Sequence, residues 1–216
     1  MKHKNIYKNT MGICTLVLMF LSTSGLAQSR TSIAVDDLKS EMLSKTASLV
    51  SVSCDFEQNK HLEYLDAVVS STGKLVFDKN NRLKWEYKEP FEYLIVINDG
   101  KFSIKTDGRI NEYDIESNQV FSQISDLIIS SVNGTIFTDS KFGVSAFKAG
   151  KEYIVFMEPQ VEEMKEVLRK IEMHINVDDF SVNKVIMFEQ EDDFTEIKFI
   201  NKVFNATLPA NTFSCD

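Results

Sequence analysis

From Val50 onward apolar and polar residues take turns, beginning with Val50-Ser51-Val52-Ser53-Cys54-Asp55-Phe56-Glu57-Gln58. Successive side chains of a strand point to opposite faces, so a period of two describes a strand with one buried face. Gly73 to Phe77 reads as the next strand, and Asn80-Asn81 as the turn after it, because Asn tolerates the left-handed backbone of tight turns. Leu83, Trp85 and Tyr87 then share one face, with Arg82, Lys84, Glu86 and Lys88 on the other, and Pro90 ends the strand. Phe91 to Ile97 is apolar on both faces, which predicts that both are covered. After the turn Asn98-Asp99-Gly100, Phe102 and Ile104 point inward. Later strands are read over Tyr153–Met157, Ile171–Val177, Lys184–Glu189 and Phe194–Ile200, with 161–169 a loop or short helical turn.

Two stretches break the pattern. Ile33, Leu38, Met42 and Leu49 recur at helical spacing, with Asp36 and Asp37 near the start where the helix dipole favours acids. Phe121, Ile124, Leu127, Ile128 and Val132 predict a second amphipathic helix over 118–132, closed by Asn133-Gly134. The fold class is mainly β with helices, a sandwich or an incomplete barrel. A residue content 43% hydrophobic and 26% charged, with no repeat or linker, suits one globular domain.

The N-terminus has the layout of a secretory signal. Lys2, Lys4 and Lys8 precede an uncharged run from Met11 to Leu21, and Gly25-Leu26-Ala27 supplies a small residue for cleavage after Ala27. That run is about half of the roughly twenty residues that span a bilayer. The expected division is 1–27 signal peptide and 28–216 mature domain, and the bacterial look of the signal predicts export to the periplasm. Loss of three lysines takes the formal charge from −8 to −11, which disfavours nucleic acid and anionic membrane surfaces.

Cys54 and Cys215 remain in the mature chain, either as a disulfide that export permits or as two free thiols. Catalytic patterns are absent: no GxSxG elbow, phosphate-binding loop, HExxH or CxxC occurs. His61 is expected in a polar loop region with Glu63, and His174 on the polar side of its strand, where it is expected to face solvent. Neither builds a metal site, so no catalytic residue, metal or cofactor is expected. A curved sheet crossed by a helix can instead enclose an apolar cavity.

Several short motifs occur in one order: Phe56-Glu57-Gln58, Gly73-Lys74-Leu75, Arg82 to Tyr87 followed by Glu89-Pro90, Asn98-Asp99-Gly100-Lys101, and Tyr113-Asp114 with Gln119-Val120. Phe156 to Pro159, Glu189 to Asn201 and Phe213 continue the pattern more loosely. In this order the chain resembles the LolA family, the periplasmic carriers of outer-membrane lipoproteins. The resemblance implies a half-open antiparallel β-barrel, that is, a curved sheet, with an N-terminal helix and a helical lid. It implies a monomeric, non-enzymatic carrier of lipoprotein acyl chains or another lipid, served by an inner-membrane release complex and an outer-membrane acceptor. A carrier or sensor of another apolar molecule in an envelope export pathway is the alternative.

On that reading the acyl chains lie against Leu75, Phe77, Leu83, Trp85, Leu94, Val96, Phe102 and Ile104. Ile124, Leu127 and Ile128 of the lid plug the groove when it is empty. An arginine that controls the family's lid falls here on Lys79, which keeps the charge but not the planar fork of donors.

Overall fold

The computed structural model describes residues 30–117, 137 and 139–215. Strand β1 (Thr31–Ile33) leads into helix α1 (Val35–Thr46). A meander follows: β2 (Ser51–Leu62), β3 (Ala67–Asp78), β4 (Arg82–Glu89), β5 (Tyr93–Asn98), β6 (Lys101–Thr106) and β7 (Arg109–Asp114). The second meander holds β8 (Phe142–Ala149), β9 (Glu152–Pro159), the one-turn helix α2 (Glu162–Lys165), β10 (Leu168–Asn176), β11 (Val182–Glu189) and β12 (Phe194–Phe204). The helix expected over 118–132 and the signal peptide lie outside the described residues.

All twelve strands form one antiparallel curved sheet in the order β1-β8-β9-β10-β11-β12-β2-β3-β4-β5-β6-β7, and it does not close into a barrel. The two meanders join where β12 pairs with β2, with Phe199 opposite Phe56. The turns carry the expected residues: Asn81, Asp99 and Gly100 all adopt positive φ. Among the described residues no helix is long and apolar enough to cross a membrane.

One face of the sheet carries two apolar clusters. Leu38 and Met42 of α1 pack with Tyr153, Val155, Met157, Ile171, Met173 and Ile175. On the other meander Cys54, Leu75, Phe77, Leu83, Ile97 and Phe102 pack together. α1 thus lies over one half of the sheet, as its apolar spacing requires.

The opposite face is covered in part by the C-terminal segment. Phe213 stacks under the Arg82 guanidinium at 4.5 Å, and its carbonyl accepts from Asn98 Nδ2 at 3.4 Å. Lys105 Nζ donates to the Cys215 carbonyl at 2.8 Å. Beneath, Asp78 is buried and accepts from Arg82 Nε at 2.9 Å, from Arg82 Nη2 at 2.5 Å and from Asn80 N at 3.0 Å.

Candidate lipid cavity

Between the two clusters the sheet encloses a cavity of about 410 Å³, within the size range of small-molecule pockets. Its wall runs over six neighbouring strands. β10 contributes Ile171 and Met173; β11 contributes Val182, Val185 and Met187; β12 contributes Ile197, Phe199 and Phe204. β2 adds Val52 and Cys54, β3 Leu75 and β4 Trp85, while Met42 and Leu49 close it from the α1 side. The opening is marked by exposed Lys45, Ser48, Asp178, Asp179 and Asn205. An apolar interior with a mixed-charge rim suits an amphiphile whose chain enters and whose polar end stays outside.

The aromatic side of this wall explains several of the sequence motifs. A Cβ on Gly73 would lie 2.6 Å from the Phe56 ring and 2.0 Å from the Glu86 carbonyl oxygen, so the glycine leaves room for Phe56. Phe56 then meets Trp85 edge-to-face at 5.5 Å and Tyr87 at 5.0 Å. Tyr87 Oη donates to Gln58 Oε1 at 3.0 Å. Burial, with Tyr93 beside it, pushes the Tyr87 phenol up to about 12 against the pull of Gln58. Trp85 Nε1 is buried and makes no hydrogen bond among the described residues, and its ring lines the cavity.

Of the residues expected to line the cavity, Leu75 and Trp85 do so. Phe77, Leu83 and Phe102 face the same side but lie within the packed cluster, with Ile104 against it. Leu94 and Val96 are on the other face. Trp85 stands opposite Ile95, so parity puts Tyr93, Ile95 and Ile97 inward and Leu94 and Val96 outward. Val96, across from Ser103, is 2% exposed although it faces away from the cavity. Lys79 is exposed at the β3–β4 turn, its N–H bonded to the Val50 carbonyl at 2.9 Å. Ile124, Leu127 and Ile128 lie outside the described residues.

Other expectations are corrected. His174 is buried, with Nδ1 2.8 Å from Glu152 Oε2 and Nε2 2.9 Å from Glu172 Oε1, because β9 and β10 bring both acids to the same face. His61 sits in β2 and stacks on Phe194 at 4.0 Å. Cys54 and Cys215 are both free: Cys54 faces the cavity and Cys215 the opposite side of the sheet. Burial pushes the Cys54 thiol up to about 11, against a smaller downward pull from Lys202, which makes it a poor nucleophile. Among the described residues no three His, Cys, Asp or Glu side chains cluster as a metal site requires.

Sequence reasoning missed the β10–β12 side of the wall. Ile171 with Met173, Val185 with Met187, and Ile197 with Phe199 alternate legibly, yet the motifs that drew attention lie on β2–β6.

The fold is shared with an uncharacterised conserved protein from Thermus thermophilus, at 6% identity and a TM-score of 0.52 over 81% of this chain and 91% of that one. A LolA-superfamily protein from Nitrosomonas europaea is similar at 11% identity, with a TM-score of 0.44 over 82% of this chain and 97% of that one. The lipoprotein LppX of Mycobacterium tuberculosis is similar at 11% identity, with a TM-score of 0.43 over 80% and 96%. No curated protein matches this sequence. The model of the family described as outer membrane lipoprotein carrier protein LolA matches residues 47–216, from the end of α1 through β12 and the C-terminal segment. Every strand that walls the cavity falls inside that match, and the chain belongs to the LolA family.

Proposed function

We propose that this protein carries lipid acyl chains in the cavity over β10-β11-β12-β2-β3-β4, acting as a periplasmic carrier of lipoproteins and not as an enzyme. The apolar cavity of about 410 Å³ with an exposed polar rim carries this reading. Its physical logic is transfer: each CH₂ that leaves water for an apolar wall gains about 0.8 kcal/mol. A carrier must also release its load, so its wall should not greatly outbid a bilayer, and an open mouth serves that need. Export to the periplasm is supported by the signal layout at 1–27. Leu75 and Trp85 are proposed to touch the chain directly, with Phe77, Leu83, Phe102 and Ile104 behind them.

The test is binding of a fluorescent fatty acid to the purified mature chain. Saturable uptake is expected. Val185→Trp, which places an indole inside the cavity, should weaken it by about tenfold or more while the far-ultraviolet circular dichroism stays intact. Failure of the unmodified protein to bind any acyl probe sinks the carrier reading. The lipoprotein role has its own assay: the protein should release triacylated lipoprotein from spheroplasts into the soluble fraction. Acyl binding without such release points to a different lipid cargo.

A further inference from the structure

Inside its rim the cavity wall is apolar apart from Thr46, Ser181 and the place where a β-bulge interrupts β12. Ile197 and Phe199 face the cavity, so unbroken alternation would turn Asn201 and Val203 inward next. Ile200 instead pairs with Asp55 and Val203 with Ser53, which leaves Asn201 and Lys202 opposite the single Cys54. Asn201 takes up the extra length at φ 53 and bonds Asp55 on the outer face. The bulge therefore delivers Lys202 and Phe204 to the cavity.

Lys202 is half-buried and its position is fixed. Its ammonium donates to Ser181 Oγ at 2.9 Å and to Asn183 Oδ1 at 2.5 Å. Asn183 is itself oriented, its Nδ2 donating to Glu152 Oε1 at 3.2 Å. Both acceptors of the ammonium are neutral, and no described carboxylate forms an ion pair with it. Three N–H bonds serve two acceptors. Burial pulls its pKa down, with Asp179, Cys54 and Glu152 opposing that pull. A cation taken partly out of water with no carboxylate in direct contact is costly, and an oxyanion placed beside it gains a charge-assisted bond at low dielectric.

We propose that Lys202 is a headgroup anchor: it holds a singly charged oxyanion, carboxylate or phosphodiester, whose acyl chain fills the cavity. The inference rests on acyl-chain binding in that cavity and narrows the cargo: it favours a free anionic lipid over a triacylated lipoprotein, whose acylated end is uncharged. Asp178 and Asp179 at the neighbouring turn disfavour headgroups of higher negative charge. A neutral amphiphile of equal chain length would leave Lys202 uncompensated.

The test is displacement of a fluorescent fatty acid from the full mature chain by palmitate, methyl palmitate and palmitoyl-lysophosphatidylglycerol. Palmitate, lysophosphatidylglycerol or both should outcompete the methyl ester by about tenfold or more. Which of the two anions does so identifies the headgroup. The preference should collapse towards unity in Lys202→Met and return in Lys202→Arg. Circular dichroism checks folding, and Lys202→Gln, which keeps a donor for Ser181 or Asn183, replaces the methionine variant if that one is unfolded. Equal affinity for anion and ester in the unmodified protein overturns the anchor while leaving the carrier reading intact, and so does a preference that survives Lys202→Met. If none of the three ligands competes because no acyl probe binds, the carrier reading fails and the anchor falls with it.

Discussion

Gly73 shows how one residue type holds a wall together. With Phe56 over it and the Glu86 carbonyl oxygen 2.0 Å from an added Cβ, Gly73→Ala has no relaxed solution. It should cost about 1–3 kcal/mol in urea denaturation. Trp85, next to Phe56, is the sole tryptophan, so its emission reports on the cavity alone. Filling the cavity with a fatty acid should shift or quench that emission, and an unchanged spectrum at saturation would place the chain elsewhere. Trp85 was legible in the sequence because it sits in a strand that alternates cleanly, and Leu75 because it shares a face with Gly73 and Phe77 in a short strand bounded by turn residues. Leu94 and Val96 were not, because 93–97 is apolar at every position and parity cannot be read from it. Lys202 was hidden for the converse reason: the bulge reverses a parity that the residues before it declare.

Among the elements, α1 carries its acids correctly but begins poorly. Asp36 and Asp37 lie in its first turn, yet Ala34 at the N-cap offers no side-chain acceptor. Ala34→Ser should stabilise the protein by about 1 kcal/mol, read as a rise in melting temperature. No change would mean that tertiary contacts already fix the helix start. This helix and most of the strands were readable from period alone, since 3.6 and 2 are distinct. The edge strands were not. β1 has three residues and β7 is exposed throughout, so neither shows a buried face. Both protect the sheet: β1 by being short, β7 by presenting Arg109, Glu112 and Asp114. His174 escaped the local reading because its partner Glu152 comes from the neighbouring strand.

At the scale of the whole molecule, acid sensitivity gathers in a few carboxylates. Burial alone would raise Asp78, Glu152 and Glu189, but their partners outweigh it: Arg82 for Asp78, His174 and Asn183 for Glu152, Lys60 and Thr195 for Glu189. All three are held below their ordinary values. Their contribution is fully present above the unfolded carboxylate range of about pH 4 and is lost as pH falls through the lower folded values. The urea midpoint should therefore drop steeply on acidification below that range, and Asp78→Asn should flatten the drop. A slope identical to that of the unmodified protein would mean that the Asp78–Arg82 pair does not govern it.

The pairing of β12 with β2 has a consequence in time. Phe56 and Phe199, neighbours across that seam, are separated by most of the domain in sequence. A chain made from its N-terminus has β2 to β11 before it has β12, the strand that joins the two meanders. Closure of the seam is the step of longest range, and so the slow one. Until it happens the pocket has two separate half-walls. The pocket is thus complete only once the last strand is in place, so any ligand that needs both half-walls has to wait for β12.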